Sequence, residues 1–467
     1  MSSALAASFR DPSGFVFTRD GELYRQVNES YREEYDHLVS SGLLAALVER
    51  GLMVGHAEVP PELAARPGAY RVLRPERIPF ISYPYEWCFG ELKDTALASL
   101  AVQRLALDHG MTLKDCSAYN LAFHSGRPTF IDTLSFERYQ PGEPWVAYRQ
   151  FCQHFLAPLA LISYRDPTLG RLLRLHIDGI PLDLASRLLP LSSRLRPGLY
   201  LHLHLHAAMQ RRYAGKPTPA AGRRGGMSLT ALRGLLDSLE GAVRRLSWQP
   251  RGTQWGDYYD CTHNYDQAAS EHKTALVTKY LERVRPRTVW DLGGNTGHYS
   301  RLASSRGIPT VSWDIDPGAI EQSYRQVVKD RETCLLPLLL DLTNPSPALG
   351  WAHRERSSLR ERGPADLVLA LALIHHLAIS NNVPFPRIAQ YLAELGRALV
   401  VEFVPKHDPQ VQRLLASRRD VFTDYTQASF EQAFGAHFAI EQATRLHSSE
   451  RTLYLMRSQQ REGRDEN

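Results

Sequence analysis

VWDLGGNTGHYS, Val289–Ser300, is the stretch that decides the fold of the second half of this 467-residue chain. An apolar strand ends in Asp291, and Gly293, Gly294 and Gly297 follow within six positions of that acid. Glycine carries no Cβ, so a ligand can approach the main chain closely there. In an open parallel sheet, ligands bind at the carboxyl ends of the strands. The motif therefore predicts a ligand site where this strand ends.

A regular alternation of strands and helices surrounds this motif and is typical of a parallel sheet covered by helices. The predicted strands are Thr288–Leu292, Thr310–Asp314, Leu336–Leu340, Leu367–Leu371 and Ala398–Phe403. Two further strands, His437–Ala443 and Thr452–Met456, are joined by a turn too short for a crossover helix, so this pair must be antiparallel. The expected fold class is α/β, a Rossmann-like sheet of parallel strands with a terminal antiparallel pair.

The acids that close the first three strands indicate which ligand the site takes. A carboxylate such as Asp291 is repelled by the pyrophosphate of a dinucleotide and attracted by an ammonium group. Asp314 ends the second strand and can accept hydrogen bonds from ribose hydroxyls, and Asp341 follows the third and can accept from an adenine amine. Ammonium, ribose and adenine together describe S-adenosylmethionine better than NAD. Simpler roles stay open, since Asp314 could cap the next helix and Asp341 could start a turn.

Four motifs in order resemble those of class I S-adenosylmethionine-dependent methyltransferases. VWDLGGNTGHYS is followed by TVSWDIDPGAIE, LLLDLTNP and ADLVLALALIHHL, and the resemblance covers about residues 255–460. It implies that Asp291 holds the methionine amino group, Asp314 the ribose and Asp341 the adenine edge. Ile315 would lie against the adenine, and the glycine loop would line the carboxypropyl tail. The cofactor-binding residues implied in this way are Asp291, Gly293, Gly294, Asn295, Gly297, Asp314, Ile315, Asp341 and Leu342.

Methyl transfer requires the acceptor to be aligned with the methyl–sulfur bond and, for a hydroxyl acceptor, the removal of a proton. The candidates for that catalytic base are His375 and His376, just past the fourth strand, and Glu402, at the end of the fifth. The alternatives are that the histidine pair begins a helix and that Glu402 is a buried, hydrogen-bonded acid. Residues 255–273, WGDYYDCTHNYDQAASEHK, are dense in aromatic and polar side chains. They suit either a lid over the site or a packed capping helix.

The first half contains a second motif, HGMTLKDCSAYNLAFHSGRPTFIDTLSFERY, His109–Tyr139. Asp115 and Asn120 have the spacing of the kinase catalytic loop, and Asp132 lies where a kinase binds its metal with D-F-G. The segment resembles a degenerate kinase-like lobe, so an α+β N-terminal domain is expected. It departs from kinases in lacking a glycine-rich loop and a strand lysine, and the region before Arg71 is short for a full N-terminal lobe. The alternative is a helical-hairpin accessory domain in which Asp115 and Asp132 are turn and capping residues.

Length and composition predict three regions along the chain. An N-terminal accessory domain is expected at residues 1–213, a linker and amphipathic helix at 214–250, and the methyltransferase domain at 251–460. Residues 214–228 are rich in Gly, Pro and Ala, which is typical of a linker.

Neither a metal site nor a disulfide framework is predicted. The five cysteines are scattered without a C-x-x-C pair. His202, His204 and His206 alternate, but the helix predicted around them would spread them about its axis. No apolar run is long enough for a membrane span and the N-terminus lacks a secretory signal, so a cytoplasmic protein is expected. A net charge of +5 is too mild to indicate a nucleic-acid partner.

Nearly the whole chain resembles a bacterial family that includes the rhizobial host-specific nodulation protein NoeA. The stretch Tyr85–Tyr139, followed by the methyltransferase half, carries this resemblance. It implies a methyltransferase connected with nodulation or with a cell-surface or secreted glycan, so the expected acceptor is a small molecule or a saccharide. The alternatives are an RNA or protein methyltransferase and a non-catalytic scaffold that binds the cofactor. No sequence pattern predicts the oligomeric state.

Overall fold

The chain divides into two compact units, each with its own core. The computed structural model describes residues 2–213, 226–250, 267–416 and 419–459. The two units consist of Met1–Gln249 with Ala348–Arg356, and of Pro250–Pro347 with Ser357–Asn467. Residues 214–225 of the expected linker and residues 255–266 of the expected lid lie outside the described residues.

A five-stranded antiparallel sheet begins the first unit. Its strands are β1 (Ser2–Ala4), β2 (Gly14–Arg19), β3 (Glu22–Asn28), β4 (His56–Val59) and β5 (Ala69–Pro75), in the order β1-β2-β3-β5-β4. Asp20 and Gly21 join β2 to β3 with positive φ angles of 52° and 81°, as a type I′ hairpin turn requires. Because the strands are short and this turn is tight, a complete sheet fits within residues 2–75. The short region before Arg71 thus contains four of these strands and the start of the fifth.

The rest of the first unit is mainly helical. Its helices are α1 (Arg32–Ser40), α2 (Leu43–Glu49), α3 (Phe89–Asp108), α4 (Tyr148–Phe151), α5 (Ala157–Tyr164), α6 (Leu172–Leu175), α7 (Leu182–Leu188), α8 (Pro197–Leu199), α9 (His206–Tyr213) and α10 (Leu229–Arg245). Two short antiparallel pairs join β6 (Met111–Leu113) to β9 (Phe136–Arg138) and β7 (Leu121–His124) to β8 (Arg127–Phe130). Lys93 on α3 donates to the main-chain oxygens of Arg244 and Leu246 at 3.0 and 2.7 Å. The predicted amphipathic helix, α10, thus packs on α3 within the first unit.

The alternating histidines lie on a helix, as their neighbourhood predicts. Tyr200–Leu205 forms a π-helical turn, which carries His202 and His204. The His202 ring nitrogens lie 2.8 Å from the Tyr148 hydroxyl and 2.9 Å from the Ser238 hydroxyl. His204 is held in the same way by two serine hydroxyls, each 2.8 Å away. These imidazoles therefore serve the packing of the helices around them.

A seven-stranded sheet organises the second unit. Its strands are β10 (Val289–Leu292), β11 (Thr310–Asp314), β12 (Leu335–Leu339), β13 (Ala365–Ala370), β14 (Gly396–Phe403), β15 (Phe438–Arg445) and β16 (Thr452–Ser458). They lie in the order β12-β11-β10-β13-β14-β16-β15, and β16 runs antiparallel to both of its neighbours. The predicted Rossmann-like sheet with a terminal antiparallel pair is confirmed, and each predicted strand is correct to within two residues at its ends.

Helices cover this sheet and bury its central strands on both faces. They are α11 (Gln267–Val284), α12 (Ser300–Ser304), α13 (Pro317–Asp330), α14 (Leu359–Arg362), α15 (Phe385–Leu395), α16 (Pro409–Leu415) and α17 (Gln427–Gly435). Val277 and Tyr280 of α11 share one buried cluster with the strand residues Val289, Leu367 and Val400. Continuous burial explains why these strands read as unbroken apolar runs in the sequence. None of the helices within the described ranges is long and apolar enough to cross a membrane.

Candidate active site

The register of the second unit's sheet brings the predicted acids to one edge. Asp291 pairs with Ser312 across β10 and β11, and Asp314 pairs with Leu339 across β11 and β12. Parallel strands end at the same edge of a sheet, which is where ligands bind in open α/β folds. Asp341 is the second residue after the end of β12, so it lies near the same edge.

The glycine loop turns sharply against the end of β11. The N–H groups of Gly293 and Gly294 both donate to the main-chain oxygen of Trp313, at 2.8 and 2.9 Å. A Cβ on Gly294 would lie 2.2 Å from Ser312 Oγ, far inside van der Waals contact. Gly297 has a φ of +87°, which residues with a Cβ rarely adopt. The loop therefore needs glycine for its own geometry and leaves bare main chain at the strand end.

Asp291 is a buried acid next to this loop. It is 1% exposed and accepts a hydrogen bond from Ser300 Oγ at 2.6 Å. Burial raises the pKa of Asp291 to about 6, although the Ser300 hydrogen bond and the charge of Lys273 act in the opposite direction. A cationic ligand beside this carboxyl would favour its charged form.

Asp314 ties the glycine loop to the end of β11. It is 9% exposed and accepts from the main-chain N–H groups of Asn295 and Asp316, each at 2.9 Å. Burial raises the pKa of Asp314 to about 6. The cap of α13 is Asp316, so the simpler role of Asp314 as a helix cap is not the one observed. The neighbouring Ile315 is 49% exposed, which leaves an apolar surface beside the acid.

Asp341 forms a local turn at the same edge. Its carboxylate accepts from the main-chain N–H and the hydroxyl of Thr343, at 3.0 and 2.6 Å. The turn that the sequence offered as an alternative role is therefore present. A carboxylate can accept more than these two hydrogen bonds, so the turn is compatible with an adenine amine as a further donor. Leu342 is half-buried beside it.

The chain past β13 lies against the glycine loop. A Cβ on Gly293 would come within 3.3 Å of Leu373 Cδ1. Ala372 has a φ of 50°, an uncommon conformation for a residue with a side chain, and its N–H donates to Glu402 at 2.9 Å. The buried acid thus holds the strained turn that leads to His375.

Glu402 is fully buried between cations. Its Oε2 accepts from Lys273 Nζ at 2.7 Å, and Arg451 Nη1 lies 3.6 Å from Oε1. Lys273 and Arg451 are each only 2% exposed, and Arg451 also pairs with Asp408 at 2.7 Å. Because these partners and the Ala372 N–H engage both carboxylate oxygens, the structure favours the alternative role of Glu402, a buried hydrogen-bonded acid, over a general base.

His375 and His376 follow this turn, with ring centroids 4.2 Å apart. His375 is 2% exposed, and its Nδ1 has no hydrogen-bond partner among the residues that the structure describes. Burial lowers the pKa of His375 well below its usual value, and His376, Arg451 and Lys273 lower it further. Burial also lowers the pKa of His376 to about 4. Both rings are therefore neutral at pH 7, and a π-helical turn, His376–Ser380, begins there as the alternative expected.

Three residues of this site were not identified from the sequence. Ser300 lies nine positions after Asp291, at the start of α12, where an acid at a strand end followed by a helix-starting hydroxyl could have indicated it. Lys273 is 129 positions from Glu402, and Arg451 lies in the connection between β15 and β16. No local pattern predicts these two cations, because only the folded sheet brings them to the acid.

The three residues of the kinase-like motif, Asp115, Asn120 and Asp132, are bound by other side chains of the first unit. Asp132 pairs with Arg25 of β3 and accepts from Ser135. Asn120 donates to Ser135 at 3.1 Å, and Asp115 accepts from a glutamine side chain at 2.7 Å. Arg25 lies on β3, so a side chain of the antiparallel sheet is the charged partner of Asp132.

The sequence is similar over nearly its full length to the nodulation protein NoeA of Rhizobium meliloti (strain 1021). The two chains are 34% identical over 455 residues, which cover 96% of this chain and 95% of NoeA. The chain belongs to the NoeA family. The resemblance read from the sequence is thereby confirmed, and no family model matches the sequence.

Solved methyltransferases are similar to parts of this NoeA-family chain. Magnesium protoporphyrin IX methyltransferase ChlM of Synechocystis PCC 6803, with bound SAH, is 18% identical with a TM-score of 0.30, covering 41% of this chain and 84% of ChlM. The bifunctional kinase-methyltransferase WbdD is 18% identical with a TM-score of 0.29, covering 43% and 42%. The methyltransferase domain of bacterial CtHen1 is 14% identical with a TM-score of 0.29, covering 41% and 98%. Likeness at this level bears on neither substrate nor mechanism.

Proposed function

We propose that this NoeA-family protein is an S-adenosylmethionine-dependent methyltransferase that acts on a small-molecule or saccharide acceptor. The observation that carries the proposal is the pair of buried acids, Asp291 and Asp314, on either side of a loop that admits no Cβ at Gly294. Ionised carboxylates are costly to bury unless a cation is near. A sulfonium nucleoside with an ammonium group supplies that cation and needs the close approach that bare main chain allows.

The residues at the strand ends fit the parts of this cofactor. Asp291 would bind the ammonium group, Asp314 the ribose hydroxyls and Asp341 the adenine amine. An adenine ring over the half-exposed Ile315 would remove apolar surface from water. The remaining residues proposed to line the cofactor are Gly293, Gly294, Asn295, Gly297 and Leu342.

The acceptor side of the proposed site is the turn past β13. The bound cofactor supplies a methyl group that is already activated, so the protein has mainly to align the acceptor with it. We assign that alignment to His375 and His376. Glu402, held by Lys273, positions them through its hydrogen bond to the Ala372 N–H.

Calorimetric titration of the full-length protein with S-adenosylmethionine tests the cofactor assignment. We expect binding by the parent, and a loss of roughly tenfold or more in affinity for Asp291→Ala and Asp314→Ala, because hydrogen bonds to charged groups are worth about 1.5–3 kcal/mol. Circular dichroism checks that each variant is folded. Folded variants that bind as tightly as the parent would exclude this site.

Methyl transfer itself is tested with labelled cofactor and fractionated cell extract. Label in a small-molecule or saccharide fraction supports the proposed acceptor, and a link to nodulation is suggested by the name of the relative. Label in protein or RNA would support an RNA or protein methyltransferase. Copurified RNA whose affinity for the protein falls steeply with salt concentration would also support an RNA methyltransferase. Tight cofactor binding without turnover on any fraction would support a non-catalytic scaffold.

A further inference from the structure

The helical part of the first unit exposes a group of large apolar side chains. Of the twenty large apolar side chains that are exposed among the described residues, eight lie within residues 175–209. The most exposed of them are Leu195 at 82%, Leu191 at 76% and Leu175 at 75%. The others are Leu188, Tyr200, Leu201, Leu205 and Met209. Single exposed apolar residues are normal on a protein surface, whereas a group of them marks an interaction surface.

A buried histidine joins the segments that carry these side chains. The two ring nitrogens of His204 lie 2.8 Å from the hydroxyls of Ser186, on α7, and Ser193, before α8. The exposed leucines within two positions of these three residues are Leu188, Leu191, Leu195 and Leu205. Because consecutive Cα atoms are only about 3.8 Å apart, these leucines come from neighbouring points of one surface.

The apolar surface continues along the helix that ends in α9. Leu201, Leu205 and Met209 recur every four positions, which is the spacing of one face of a helix. All three are exposed, whereas Leu203 and Ala207 between them are fully buried. The outer face of this helix is therefore apolar although nothing in its own unit requires it to be.

The sequence around this surface is positively charged. From Leu184 to Leu236 the chain contains no Asp or Glu and nine cations. They are Arg187, Arg194, Arg196, Arg211, Arg212, Lys216, Arg223, Arg224 and Arg233. Arg194 and Arg196, on either side of Leu195, are exposed and make no ion pair with residues that the structure describes.

The combination of apolar side chains and cations selects the partner. A lipid bilayer with anionic headgroups has negative charge at its surface and apolar chains just beneath, so it receives the arginines and the leucines together. A second copy of the chain fits less well, because a two-fold interface would bring the same arginines against each other. A nucleic acid would bind the arginines through its phosphates and leave the leucines in water.

We propose that residues 187–212 of the first unit bind the surface of an anionic lipid bilayer. Leu191 and Leu195 lie below the headgroups in this arrangement, and Arg194 and Arg196 lie against the lipid phosphates. Binding of this kind is peripheral, so it requires no helix that crosses the membrane. The surface belongs to the first unit, so its binding does not depend on the cofactor assignment in the second unit.

Vesicle flotation with the full-length protein tests the proposal. Vesicles of phosphatidylcholine alone are compared with vesicles that also contain phosphatidylglycerol, whose headgroup is anionic. We expect the parent to bind the anionic vesicles roughly tenfold or more tightly, because each arginine near such a surface contributes about fivefold. This preference should decrease as the salt concentration rises, since salt screens the attraction.

Two double variants separate the apolar contribution from the charged one. Leu191→Gln with Leu195→Gln should lower the affinity for anionic vesicles roughly tenfold or more, because these positions then lose the gain from leaving water. Arg194→Gln with Arg196→Gln should remove most of the preference for anionic over neutral vesicles. All four side chains are exposed, so we expect both variants to fold, and circular dichroism checks this.

The matched control is Val328→Gln with Lys329→Gln, which changes an exposed apolar residue and an exposed cation on α13. It should bind both kinds of vesicle as the parent does. The proposal is overturned if the parent does not float with anionic vesicles, or if the folded leucine variant binds them as tightly as the parent. A leucine variant that converts a dimer to a monomer in sedimentation, without a change in vesicle binding, would assign the surface to a second copy of the chain instead.

Discussion

Asp291 and Asp314 are the side chains on which the proposed cofactor site depends most. Burial raises the pKa of each carboxyl to about 6. When the pKa of an acid is higher in the folded chain than in the unfolded chain, its contribution to stability is complete below the unfolded value of about 4 and is lost as the pH rises through the folded value. At pH 7 both carboxylates are therefore charged in the folded chain at some cost in stability, and a bound cation offsets that cost.

The affinity for S-adenosylmethionine should therefore depend on pH between 5 and 7. On lowering the pH to 5, we expect the affinity to fall by about tenfold for each carboxyl that must lose its proton on binding. Calorimetry at the two pH values measures this change. Asp291→Asn should flatten the profile, whereas Asp330→Asn, at an exposed acid at the end of α13, should leave it unchanged. Equal affinity of the parent at both pH values would contradict the assignment of these acids.

At the scale of single elements, the glycine loop does not tolerate a larger side chain. Gly294→Ala would place a Cβ 2.2 Å from Ser312 Oγ, so the loop must move away from β11. We expect a loss of about 1–3 kcal/mol in the free energy of unfolding, as for other overpacked sites, together with weaker cofactor binding. Thermal unfolding and calorimetry measure the two effects. Gly435→Ala is the matched control, because a Cβ there meets no atom within 4 Å, and a similar effect of both changes would contradict this reading of the loop.

The contact between α11 and β14 depends on a buried ion pair. Glu402→Gln would leave Lys273, which is 2% exposed, without its charged partner. Removing one member of a buried pair typically costs about 3–5 kcal/mol, and urea unfolding measures that loss. Arg457→Gln breaks a surface pair with Glu441 instead and should cost at most about 1 kcal/mol. Comparable losses in the two variants would show that the buried pair is not structural.

At the scale of the whole molecule, the first unit is discontinuous in sequence. Residues Ala348–Arg356, from the connection between β12 and β13, belong to it. Within that unit Glu355 is buried and accepts from Arg10 at 2.8 Å. The Arg356 guanidinium lies 4.2 Å from the centre of the Tyr119 ring. The connection after the proposed adenine-binding acid thus contributes to the packing around the kinase-like loop.

Arg356→Ala should accordingly destabilise the first unit, although the rest of that unit lies far from this residue in sequence. We expect a loss of about 0.5–2 kcal/mol, the usual range for a cation over an aromatic ring. Thermal unfolding of the full-length chain measures it. Arg354→Ala, at an exposed arginine two positions earlier, is the control and should have little effect. If the two variants unfold alike, the segment does not contribute to the unit in this way.

The sequence by itself determined the architecture of the second unit, because its signals are local. Apolar runs of strand length, glycines after an acid and a short final turn predict the parallel sheet, its loop and its antiparallel pair, and the structure has all three. The same local signals predicted that Asp291 and Asp314 lie at the ends of strands.

Tertiary structure alone decided the surroundings of Glu402 and the extent of the first unit. The role of Glu402 depends on Lys273 and Arg451, and no pattern within a few residues can pair groups that lie 129 positions apart, as Glu402 and Lys273 do. The complete sheet of the first unit was also missed, because its short strands have little periodicity to detect and two helices, α1 and α2, separate β3 from β4. Charge pairing and burial are set by the neighbours that folding supplies, whereas strands and turns are set largely by the residues within them.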